Sequence, residues 1–76
     1  MADAGGGLYP LVLRLQGRRA LVVGGGKVAA RKAAGLLAAD AYVVVVSPAF
    51  VPAFDRLADT AALTLVERPY VPSDLE

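Results

Sequence analysis

Three consecutive glycines, Gly24-Gly25-Gly26, join an apolar run, Leu21-Val22-Val23, to an alanine-rich stretch that begins Lys27-Val28-Ala29-Ala30-Arg31-Lys32. The chemistry open to such a junction is the binding of an anion by the backbone. A β-branched strand delivers the chain to a point, glycines let it turn tightly, and a helix N-terminus offers free N–H groups and the positive end of its dipole. The spacing Gly24-x-Gly26-x-x-Ala29 is a dinucleotide fingerprint in its Gly/Ala-ending form. In this pattern Gly24 permits the turn, Gly26 lets the backbone approach a pyrophosphate, and Ala29 allows the helix to lie close on the strand. A flexible glycine loop without a ligand would share the composition. It would not require a strand before, a helix after and a second strand at a suitable distance.

The other polar residues offer weaker chemistry. The chain has no cysteine and no histidine, so neither thiolate nor imidazole is available for a zinc, haem or iron–sulfur centre, and no metal site is expected. Asp55 and Asp59 stand one helical turn apart, the spacing of an acid/base pair, but with Arg56 between them they read as a solvated face. Arg31 and Lys32 read first as exposed cations of a helix and second as a guide for an anionic substrate. Lys27 lies nearer to any bound phosphate. Tyr42, Phe50, Phe54 and Tyr70 read as packing residues, and no catalytic residue is assigned.

The elements that must position the glycine turn follow from hydrophobic patterning. Leu11, Leu13 and Leu15 alternate with Val12, Arg14 and Gln16, a short extended segment with Pro10 at its edge. Gln16-Gly17-Arg18-Arg19 is a turn, and Ala20 to Val23 a fully buried strand. Lys27 to Ala39 predicts a helix, with Lys27, Arg31 and Lys32 outward and Val28, Leu36 and Ala39 toward a sheet. After the connection at Ala38-Ala39-Asp40-Ala41 comes Tyr42-Val43-Val44-Val45-Val46, ending at Ser47-Pro48. Its unbroken valines call for cover on both faces, as in a parallel sheet. Pro52 suits the first turn of a helix over Val51 to Ala62. Leu63 to Glu67 is a third strand, residues 68–72 are irregular, and Ser73 to Glu76 opens a further helix.

This order predicts an α/β fold: the N-terminal half of a Rossmann-like, doubly wound parallel sheet, β-α-β-α-β, with strand order 3-2-1. Right-handed crossovers stepping the same way put both helices on one face and leave the other open. The valine run needs cover there too, from a partner, from a second copy or from a missing part of the domain. Because Ser73 to Glu76 starts an element with no room to finish, the sequence reads as a truncated piece of a larger domain. At 76 residues it is one small domain of a size that buries only about 60% of its unfolded surface. The formal net charge of +1 argues for neither nucleic acid nor an anionic membrane, and no apolar run approaches the roughly 18 residues of a transmembrane helix. Met1 to Gly7 lacks the basic and apolar regions of a signal peptide. Residues 1–8 read as a disordered tail ahead of a partial dinucleotide-binding domain at 9–76, and the expectation is a soluble, cytoplasmic protein.

Tyr9-Pro10-Leu11, the alternating leucines, the Gln16-Gly17-Arg18 turn and the run from Leu21 to Lys32 together resemble the start of the precorrin-2 dehydrogenase family, the N-terminal part of bifunctional siroheme synthases. Leu63-Thr64-Leu65-Val66-Glu67-Arg68-Pro69-Tyr70 is similar to the family's third strand and the segment after it. The resemblance covers residues 9 to 76, and its specific piece is the glycine-Ala-Arg-Lys run. It implies oxidation of precorrin-2 to sirohydrochlorin with NAD as hydride acceptor, in many members iron insertion as well, and a homodimer in the intact enzyme. It implies cofactor contacts at Gly24, Gly25, Gly26, Lys27 and Val28 and at Ser47, Pro48 and Ala49. The acidic residue that holds the ribose in a standard NAD site is missing: Val46-Ser47-Pro48 stands there, and Asp40 lies at the wrong end of the strand. The Ser47 hydroxyl and backbone groups are the expected substitutes, which weakens the preference for NAD over NADP. The family's catalytic aspartate and its carboxylate-rich tetrapyrrole site correspond to nothing in these residues, so the chain alone is expected to be inactive. A non-catalytic nucleotide-binding or regulatory half-domain, and a fragment of another NAD(P)-dependent oxidoreductase, are the alternatives.

Overall fold

The computed structural model describes residues 10–71. The tail expected at 1–8 and the helix opening expected at Ser73 to Glu76 lie outside the described residues. Four strands form one mixed sheet in the order β1-β2-β3-β4: β1 (Leu11–Arg14), β2 (Arg19–Val23), β3 (Tyr42–Ser47) and β4 (Leu63–Glu67). The parallel trio β4-β3-β2 has the expected 3-2-1 order, with Val22 opposite Val45 and Val45 opposite Leu65. The alternating leucine segment adds a fourth strand. It folds back antiparallel on β2, with Val12 opposite Val22, through a turn in which Gly17 takes φ +74 and Leu15 N–H donates to Arg19 O at 2.9 Å.

Helix α1 (Lys27–Ala38) connects β2 to β3. Lys27, Arg31 and Lys32 face outward as expected, but the inward stripe differs from the expectation. Ala29, Ala30 and Ala33 are the buried positions, whereas Val28 is 38% exposed, Leu36 is half-buried and Ala39 is exposed. Alanine carries no side-chain bulk, so the helix lies close on the valines of β2 and β3 and leaves longer residues at the rim of the contact. The α1 side of the sheet holds the core: Val22, Val43 and Val45 pack with those alanines and Phe54, flanked by Val12, Leu63 and Leu65. Strand alternation assigns Leu21, Val23, Val44, Val46 and Val66 to the opposite face.

A regular helix does not form over Val51 to Ala62. A 3-10 helix spans Pro52–Arg56, and i to i−3 bonds carry the path onward: Phe54 N–H donates to Val51 O, Leu57 to Phe54 O, Thr60 to Leu57 O and Leu63 to Thr60 O, at 2.9–3.1 Å. Pro52 fits the first turn, and the aspartates and Thr60 beyond it favour local turns over a regular helix. Phe54 anchors the segment, buried on the α1 side with its ring edge-on to Phe50 at 5.0 Å. Of the other aromatics expected to pack, Tyr42 is 60% exposed.

Candidate functional site

At its carboxyl end β2 runs into the glycine turn, and β3 ends beside it. Gly24 takes φ +134, a conformation that side-chain-bearing residues rarely adopt, and its N–H donates to Val46 O at 3.0 Å. Gly26 is the N-cap of α1, in extended backbone (φ −86, ψ −173), with no side-chain cap bond and no acidic residue in the first helical turn. The first intrahelical bond runs from Ala30 N–H to Gly26 O at 3.0 Å. The first-turn N–H groups therefore have no acceptor within the helix, and together with the dipole they form a preset anion site.

A cleft of about 600 Å³ opens at this end of the sheet, lined by Gly24, Gly25 and Gly26, by residues 46–51, and by Leu11, Val23 and Tyr70. Six of the expected site residues meet there: Gly24, Gly25, Gly26, Ser47, Pro48 and Ala49. Lys27 and Val28 stand outside the lining, exposed on the first turn of α1. Leu11, Phe50, Val51 and Tyr70 belong to the cleft although nothing in their spacing announces it. Leu11 arrives through the hairpin and Tyr70 through the path after β4.

Ser47 does not stand free to replace a ribose-binding carboxylate. It is buried, its Oγ donates to Ala49 O at 2.7 Å, and Ala49 N–H reaches back to it at 3.4 Å. No lining residue carries a charge. The donor set fits a dinucleotide as backbone amides for the pyrophosphate and apolar walls for the rings, with no side-chain carboxylate for the ribose. Asp55 and Asp59 are exposed, away from the cleft lining. Among the described residues no three His, Cys, Asp or Glu side chains gather as a metal site, and no helix is long and apolar enough to cross a membrane.

The chain is similar to known proteins in sequence and in fold. The model of a family of NAD(P)-binding domains, NAD_binding_7, matches residues 11–76. Siroheme synthase of Escherichia coli O1:K1 is 48% identical over 67 residues, covering 88% of this chain and 15% of that protein. Siroheme synthase of Shigella boydii serotype 18 matches to the same extent. Among solved structures, SirC, a precorrin-2 dehydrogenase, superposes with a TM-score of 0.70 at 32% identity, over 91% of this chain and 35% of SirC. The chain thus spans about 15% of the length of the curated relatives it matches.

Proposed function

Because this chain belongs to the family of NAD(P)-binding domains found in siroheme synthase and precorrin-2 dehydrogenase, we propose that its cleft holds NAD as the hydride acceptor of a precorrin-2 dehydrogenase. The observation that carries this reading is the uncapped N-terminus of α1, which meets the positive-φ Gly24 turn at the carboxyl ends of two parallel strands. The N–H groups at the start of α1 would hold the pyrophosphate, with Lys27 adding a nearby positive charge. Gly26 would let the phosphates come close, and Pro48 and Ala49 would border the adenosine half. The bound cofactor supplies the chemistry, taking a hydride from the tetrapyrrole ring, while this part of the protein binds and orients it.

The substrate in this reading is a carboxylate-rich tetrapyrrole, to which Arg31 and Lys32 add long-range attraction. The acid/base group belongs to parts of the enzyme that these residues do not include, and the working enzyme is a homodimer in the cytoplasm. A chain without cysteine suits that reducing compartment. Calorimetric titration of the chain with NAD⁺ and with NADP⁺ tests the cofactor assignment. Heat with NAD⁺ that saturates at one site per chain is the expected result. Absence of binding by either dinucleotide would overturn it. Equal affinity for both would overturn the preference for NAD alone.

A further inference from the structure

The middle glycine occupies a position that the fingerprint leaves open, since Gly24-x-Gly26 sets no requirement at x. The fold does set one. A Cβ built on Gly25 would overlap the Ala49 carbonyl oxygen and would lie 2.7 Å from Ser47 Oγ and 2.9 Å from the Ala49 carbonyl carbon. Two of these three neighbours are backbone atoms, which cannot swing aside as the tip of a long side chain can. The Gly25 carbonyl also accepts the Val51 N–H at 2.8 Å, and Gly24 N–H reaches Val46 O at 3.0 Å, so the glycine turn is tied to both ends of segment 46–51. Inside that segment the buried Ser47 hydroxyl holds Ala49 by its carbonyl and its N–H.

From this contact we propose that Gly25 is a positioning residue that seats the loop after β3 against the glycine turn. It thereby sets the width of the dinucleotide cleft whose wall it forms. Its functional meaning rests on the nucleotide reading above, but the lock consists of protein atoms alone. A cleft whose two loops are already joined does not have to order one of them on binding. If the loop were seated only a tenth of the time, the apparent Kd would rise about tenfold. Ser47 works in the same unit by keeping the loop in the shape that Gly25 accepts.

The test compares the full chain with its Gly25→Ala and Ser47→Ala variants by amide hydrogen exchange and by NAD⁺ titration. In Gly25→Ala, the Val51 amide is expected to lose protection while the Leu21, Val22 and Val45 amides of the sheet keep theirs, and NAD⁺ binding weakens about tenfold or more. Ser47→Ala is expected to move both readouts the same way by a smaller factor. Unchanged Val51 protection, or unchanged NAD⁺ affinity, in a folded Gly25→Ala chain overturns the proposal. If Gly25→Ala loses protection throughout the sheet, Ser47→Ala decides: faster Val51 exchange supports the lock and unchanged exchange overturns it. If the unsubstituted chain binds no NAD⁺, the reading of the cleft fails, and Val51 exchange alone then upholds or overturns the lock.

Discussion

The glycines of one short run do different work, and their differences are physical. Gly24 is required by its backbone: at φ +134 an added side chain is strained, and a Cβ there would also sit 3.4 Å from Pro10 Cβ. Gly24→Ala should therefore lower stability by about 1–3 kcal/mol, measured as a lower urea midpoint at constant m-value. Gly26, by contrast, has a φ that any residue can adopt, so its torsion angle does not call for glycine. The fingerprint made the roles of Gly24 and Gly26 legible from spacing alone. Gly25 was legible only as one more member of the turn, because its requirement comes from Ala49, which lies far along the chain and meets it only in the fold. Ser47 differs in the other direction. Its hydroxyl reads as a free ligand group in sequence, and the loop's own backbone takes it up.

At the scale of elements, α1 ends in a Schellman motif: Ala41 N–H donates to Leu36 O and Asp40 N–H to Leu37 O, both at 3.0 Å. The residue in the left-handed position is Asp40, at φ +65, where glycine is usual. Asp40→Gly should raise stability by about 0.5–1 kcal/mol, seen as a higher thermal midpoint with α1 and the sheet unchanged. The absence of glycine at this connection is visible in the sequence, and the strain it stores is visible only in the torsion angle. The path from Val51 to Leu63 was harder to read. Its proline fits a first helical turn, yet repeated i to i−3 bonds carry the chain from β3 to β4. Propensity ranks residues for a helix; it does not measure the gap the segment must cross or the pocket that Phe54 must fill.

Across the whole molecule, α1 and the 3-10 helix pack on the same side of the sheet, through the core that joins Ala29, Ala33 and Phe54 to Val22, Val43 and Val45. On the other side, Val23, Val44 and Val66 remain half-buried, and Leu11 is 49% exposed. Apolar sheet surface of this kind promotes association. Sedimentation velocity should show concentration-dependent self-association of the chain. The Val44→Thr/Val66→Thr double variant should remain monomeric to higher concentration, because threonine keeps the β-branched shape while adding a hydroxyl. A chain that stays monomeric without these substitutions would contradict this expectation.

Local chemistry along the chain determined the strand–glycine–helix junction, the 3-2-1 order of the parallel strands and the family, because these depend on residue type, period and short spacing. Tertiary structure alone decided three things: that the leucine segment pairs antiparallel with β2, that alanines rather than Val28 and Ala39 face the sheet, and that the middle glycine locks against Ala49. The hairpin joins two runs linked by a short turn, and only the fold shows that they pair. The helix face and the glycine lock depend on contacts between residues far apart in sequence. The glycine run alone therefore marks where an anion would bind. The width of the cleft around it is set by a loop more than twenty residues further on.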